Sequence, residues 1–139
     1  MKGYKITTKD MTTFNDFQWQ IGSMAVTDGN GDLCGSGWLH FYQHPLLAVL
    51  LNPIHGAYAD GRLFEVEAGG RFKYDRGLKV GATEMTLVRE IEMPKPTLPQ
   101  LVAFANGCAE FANRAAVEPR RNPDEILAEL AKIAEKACA

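Results

Sequence analysis

Two prolines, Pro94 and Pro96, stand two residues apart in the segment Met93-Pro94-Lys95-Pro96-Thr97, and no regular element can run through them. Each lacks an amide donor, fixes its own φ, and pushes the preceding residue toward extended geometry, so both a β-ladder and a helix must stop here. Before this point apolar residues recur with period two; after it they recur at three and four. Strands first and helices last is the α+β pattern rather than βαβ alternation. The expected fold is therefore a mainly antiparallel twisted sheet, with a short buried helix inside the strand region and one or two C-terminal helices packed on it.

The strand region divides at glycines and turn residues. Tyr4 and Ile6 share one face of KGYKIT, and Phe17, Trp19 and Ile21 share one face of FQWQIG. Met24-Ala25-Val26 leads into Asp28-Gly29-Asn30-Gly31-Asp32, whose residues tolerate positive φ and predict a hairpin. The acidic loop lacks the glycine and the final carboxylate of a calcium loop, because Leu33 and Leu39 stand in those places. Trp38 to Tyr42 suits a strand. His44-Pro45 then opens a helix, since proline is tolerated at the first helical position, and Asn52-Pro53 is expected to end it. Leu46, Leu47, Val49, Leu50 and Leu51 are apolar nearly all round, which predicts burial on several sides. Further on, Leu63, Glu65 and Glu67 oppose Phe64 and Val66, and Gly69-Gly70 suggests a second turn. Leu78 to Val80 predicts a brief strand, and Met85, Leu87, Arg89 and Ile91 alternate with Thr86, Val88 and Glu90 in another.

Beyond the prolines, Thr97 can cap a helix whose stripe is Leu98, Leu101, Val102, Ala105, Cys108, Ala109 and Ala112, widened by Phe104 and Phe111. That helix is expected to lie across the sheet. A basic break, Glu118 to Pro123, precedes a last helix with Asn122 as N-cap and Ile126, Leu130, Ile133 and Ala137 on one stripe. This divides the chain into a single α+β domain over 1–115 and a C-terminal amphipathic helix over 116–139. The last stripe packs in cis on this reading, with a homodimer through the same helix as the alternative.

Hydrophobic residues make up 46% and charged residues 23%, enough apolar content to exclude disorder over most of the length. The net charge of -2 gives no general electrostatic drive toward nucleic acid or acidic membranes. No apolar run reaches the ~20 residues of a membrane helix. Three widely spaced cysteines and an N-terminus without an apolar signal segment predict a reduced, cytoplasmic protein.

All three histidines, His40, His44 and His55, fall near Cys34 in one stretch, which makes it the first place to seek a site. Imidazole and thiolate bind zinc-like metals, and imidazole moves protons near neutral pH. The spacing Cys-x5-His-x3-His-x10-His matches no closed zinc pattern, so no metal is expected. There is no phosphate loop, nucleophile elbow or Cys-x-x-Cys pair. The candidate binding surface is therefore Trp38, His40, Tyr42, His44 and His55, with no catalytic residues and no cofactor assigned.

The residues GSGWLHFYQHPLLAVLLNPIH, GRLFEVEAGG and GLKVGATEMTLVREIEMP resemble a family of small, mostly uncharacterised bacteriophage and prophage proteins. The likeness extends from the N-terminal GYKITTKDMTTFNDFQWQIG to Arg114. It implies a phage or prophage origin and expression in a bacterial host's cytoplasm; with the small size and the absence of every catalytic motif it points to an accessory protein that binds a host protein, an anti-CRISPR or other anti-defence inhibitor being one such form. The order of elements, with GRLFEVEAGGRF and its Glu-x-x-Gly ending, is also similar to small ADP-ribosyltransferases of the rifampicin-inactivating type. In those enzymes a His or Arg on the first strand and a Tyr near the helix start hold NAD. Tyr42 matches the second; Gly3-Tyr4-Lys5 offers neither His nor Arg, and lysine lacks the planar grip of arginine. On these residues a binding protein is favoured over an enzyme.

Overall fold

A computed structural model describes residues 1–75, 79–117 and 123–138. Its strands are β1 (Lys2–Thr7), β2 (Thr12–Thr13), β3 (Phe17–Gln18), β4 (Met24–Val26), β5 (Leu39–Phe41), β6 (Arg62–Asp75) and β7 (Lys79–Ile91). Helix α1 (Pro45–His55) follows β5, and α2 (Leu98–Val117) and α3 (Pro123–Cys138) end the chain. The α+β expectation holds: the main sheet is antiparallel, with α1 inside the strand region and α2 and α3 after it.

The long hairpin β6–β7 organises the sheet. β1 pairs with the first half of β6, and β7 carries β5 along Val80–Ala82 and β4 along Glu84–Thr86. The sheet then closes on itself. Tyr4 and Tyr42 exchange backbone hydrogen bonds, both 2.8 Å, which joins the run after β5 to β1. The expected hairpin between Met24–Val26 and the aromatic strand does not form, because β4 and β5 lie end to end along β7. A long partner strand offers each more ladder than they could offer each other.

Two bulges set which residues face inward. Glu65 pairs with Arg89 while Val66 pairs with Leu87, so Val88 is the extra residue. Gly69 pairs with Glu84 while Phe72 pairs with Ala82, so Gly70 and Arg71 together oppose Thr83. The glycine pair read as a turn is thus a bulge within one continuous strand. Gly70 has φ 72°, and a Cβ there would overlap Thr83 Oγ1, which accepts from Arg71 N at 2.9 Å. Gly70→Ala is expected to destabilise by on the order of 1–3 kcal/mol, read from the denaturation midpoint. The bulges also split the strand read as one face: Val80, Ala82, Met85 and Leu87 point into the core, while Ile91 joins Leu63 on the other side.

The sheet's interior is filled by Trp19, Leu39, Phe41, Phe64, Val66, Ala68, Met85 and Leu87. Phe17 and Trp19 do meet, their rings edge to face at 5.0 Å, but the three residues are not buried alike. Phe17 belongs to the small β2–β3 ribbon and is exposed, as is Ile21, whereas Trp19 is 2% exposed and donates through Nε1 to Thr13 Oγ1 at 2.8 Å. A second cluster, including Ile6, Tyr42, Leu47, Ala48, Leu51 and Leu63, seats α1 on the sheet. Each leucine so buried contributes about 1.5–3 kcal/mol. Pro53 lies inside α1 rather than ending it, and the amides of Gly56 and Ala57 close the helix on the Asn52 carbonyl.

Thr97 and Gln100 form a reciprocal cap on α2: Gln100 N donates to Thr97 Oγ1 and Thr97 N to Gln100 Oε1. α2 does not cross the sheet. It packs on α3, which in turn lies on α1 through Ala134 and Ala137. A Cβ on Gly107 would meet Ile133 at that helix–helix contact. The in-cis packing of the last helix is therefore seen at its C-terminal half. Leu78, the basic linker and the Asn122 cap lie outside the described residues.

Candidate functional site

Because Leu39 and Phe41 turn inward, Trp38, His40 and Tyr42 project to the outer side of the sheet. Across from His40 stands Gly81, whose missing side chain leaves room for Trp38 and Leu33; a Cβ there would lie 3.1 Å from Trp38 Cβ. Over this face lies the glycine-rich loop. Gly31 O accepts from Trp38 Nε1 at 3.2 Å and from Lys73 Nζ at 3.1 Å, Asp28 O accepts from Arg71, and Leu33 O bonds His40 Nε2. Arg71 and Lys73 also stand 5.9 and 5.7 Å from the Trp38 ring. Within the loop, Asp28 Oδ1 accepts from Asn30 N, so the carboxylate makes a turn.

A carbonyl can only accept, so His40 Nε2 carries the proton it shares with Leu33 O. Burial pushes the His40 pKa down to about 4; the Leu33 carbonyl pulls it up, and Lys5, Lys79 and His55 push it further down. His40 is neutral at pH 7. Beside it Tyr42 Oη and His55 Nδ1 share a hydrogen bond of 2.6 Å, and the two rings stack at 5.9 Å with 12° between their planes. Burial, then Tyr58 and Asp75, raises the Tyr42 pKa, while burial and then Lys79 lower that of His55 against Asp75. The pair is a neutral hydrogen bond, with no phenolate at neutral pH.

His44 is set apart. Its Nδ1 accepts from Leu46 N at 3.1 Å as the N-cap of α1. His44→Ala is expected to cost ~1 kcal/mol, seen as a lower thermal midpoint. The stretch thus brings Trp38, His40, Tyr42 and His55 to one outer face and places His44 in a cap. Of the five, His44 and His55 are exposed. Cys34 is exposed with Lys79 Nζ 3.2 Å from its sulfur, and all three cysteines are free. Among the described residues no group of three or more His, Cys, Asp or Glu is placed to hold a metal.

The His40 environment gives a pH dependence. Its folded pKa lies below the ordinary 6.5, so between about 6.5 and 4 the unfolded chain binds the proton more readily. Stability is expected to fall on acidification through that window, and His40→Gln is expected to flatten the fall. Urea midpoints at intervals between pH 7 and 4 measure both.

Two features were missed by pattern reading. Lys5 is buried in the sheet interior, 5.1 Å from the Trp19 ring, with Nζ donating to His40 O at 2.7 Å. And β4 is an edge strand: Ala25 faces the core, so Met24 and Val26 point out and are exposed, as is nearby Val88. The small residue between two large ones in Met24-Ala25-Val26 was the signal available.

The family described as Domain of unknown function (DUF7666) matches residues 1–97. The chain belongs to it. The DUF7666 match runs from β1 through the Pro94–Pro96 segment and stops at Thr97, one residue before α2 begins, so it takes in the whole sheet, α1 and the loop over Trp38. No curated protein matches the chain. No helix among the described residues is long and apolar enough to cross a membrane.

Proposed function

We propose that this DUF7666 protein is a phage-encoded accessory protein of the bacterial cytoplasm that acts by binding a host protein, an anti-CRISPR or other anti-defence inhibitor being the form to test first. The observation that carries the reading is the contrast between two parts of the surface. In the histidine stretch nearly every polar side chain is spent on an internal bond: Trp38 to Gly31, His40 to Leu33, Tyr42 to His55, His44 to Leu46. On the β4 flank, Met24, Val26 and Val88 stand exposed beside an unpaired strand edge. Adjacent exposed apolar side chains at an open edge suit protein recognition, by strand addition or by apolar contact.

The test is capture of host proteins from a bacterial lysate by the wild type and by the double variant Met24→Lys, Val26→Lys. Both side chains are exposed, so the variant is expected to keep its thermal midpoint and lose the captured partner. Recovery of the same proteins by both, or of none by the wild type at several salt concentrations, would sink the reading. The alternative, an ADP-ribosyltransferase-like NAD binder, finds Lys5 of the first strand buried and bonded to the His40 carbonyl, leaving Tyr42 as its support. NAD at 100 times its dissociation constant would stabilise such a protein by ~2.7 kcal/mol, and no shift at millimolar NAD removes it.

A further inference from the structure

Sequence pattern and packing disagree on α2. Leu98, Leu101, Val102, Ala105 and Ala109 recur at three and four, the stripe that periodicity marks for burial. In the folded chain the opposite side of the helix, with Phe104 and Gly107, makes the contacts with α3 and the core. The marked stripe faces out: Leu98 is 73% exposed, Leu101 46% and Val102 47%, with Ala105 and Ala109 exposed beyond them. At 3.6 residues per turn the five cover an arc of about 100°, and no charged residue occurs from Leu98 to Ala109. Nothing on this face repels a second apolar surface.

The stripe is also graded along its length. Leu98, Leu101 and Val102 are large and lie toward the N-terminus; Ala105 and Ala109 are small and follow. A second α2 laid antiparallel about a two-fold axis sets the large end of each helix on the small end of the other, which fills both ends at once. A lipid surface is a poorer occupant, because the flank of the stripe carries Asn106 and Glu110 rather than the lysines and arginines of a membrane-binding helix. In its described C-terminal half the last helix is engaged within the chain, Ile133 against Gly107 and Ala134 and Ala137 against α1.

We infer that the protein forms a two-fold dimer in which the Leu98–Ala109 stripes of two α2 helices pack antiparallel. The dimer uses the segment that follows the matched family residues, and it is independent of any host partner.

Sedimentation equilibrium on the full chain, from micromolar to near-millimolar concentration, is the test. The wild type is expected to rise from the 15.3 kDa chain mass toward twice that value. Leu101→Glu with Val102→Glu is expected to weaken association about a hundredfold or more, with an unchanged circular dichroism spectrum. A wild type that stays monomeric, or a dimer untouched by the double variant, overturns the inference. A second measurement covers a variant that folds poorly. With Cys34, Cys108 and Cys138 replaced by serine, Ala105→Cys lies beside the axis and is expected to cross-link between chains under mild oxidation. Lys9→Cys, exposed and outside the stripe, is expected not to; equal cross-linking at both overturns the inference.

Discussion

Raising the pH from about 8 to about 10 is expected to make the folded state more stable, and Lys5→Met is expected to remove that gain. Lys5 is buried with one acceptor, the His40 carbonyl, and burial pushes its pKa from 10.5 down to about 8. Between these values the unfolded chain holds the proton and the folded chain does not. The unfolded state therefore binds more protons and stability rises with pH, by on the order of 3 kcal/mol over the whole interval. Other groups act in the opposite direction. Burial raises the pKa values of Cys108, Cys138 and Tyr42, so their ionisation in the unfolded chain favours unfolding from about pH 9 upward. The difference between wild type and Lys5→Met isolates the lysine. At pH 7 the methionine variant is expected to be the more stable by about 1–3 kcal/mol, since a buried charge without a carboxylate partner is replaced by a side chain of similar volume. That advantage shrinks as pH rises. Urea denaturation of both proteins at pH 7, 8, 9 and 10 measures it, and a difference constant with pH would refute the account.

Trp19→Ala is expected to destabilise by about 3–5 kcal/mol, the range for removing a large aromatic side chain from a core. Trp19 is buried at 2% exposure although the strand before it is only Phe17–Gln18. It closes the sheet interior, held by the hydrogen bond from Nε1 to Thr13 and by contact with the aliphatic and aromatic core. The substitution also takes away the ring that faces Lys5. Water admitted there relieves the desolvation of the amine, so the alkaline gain in stability is expected to be smaller in Trp19→Ala than in the wild type. Trp19→Phe, which keeps most of the apolar volume, is expected to retain more of both. The same pH series of denaturation curves reads stability and its slope together.

Much of the architecture was legible in the residues because it depends on local chemistry. Pro94 and Pro96 end the strand region wherever they are placed, and the Thr97–Gln100 cap and the His44-Pro45 helix start act within a turn of chain. Alternation found β6 and much of β7. It failed where a bulge adds a residue, since one extra residue moves every following side chain to the other face: Met85 and Leu87 point inward, and Ile91 outward toward Leu63. Gly69-Gly70 carried the composition of a turn, and only pairing with Thr83 and Glu84 made it a bulge. For the candidate site, adjacency in sequence brought Trp38, His40 and Tyr42 to one face by period two. The hydrogen bond between Tyr42 and His55 depends on where α1 ends, and the bonds from Arg71 and Lys73 to the loop join residues far apart in the chain.

By itself, then, the sequence determined that strands precede helices, where the main break lies, and that α1 is buried, because proline, capping and apolar periodicity act over a few residues. Tertiary structure decided which strand pairs with which, that the sheet closes through Tyr4 and Tyr42, that Lys5 is buried without a counter-charge, and which face of α2 is covered. Those outcomes are set by competition among distant segments for the same ladder edges and the same apolar surface, and no local pattern encodes the winner.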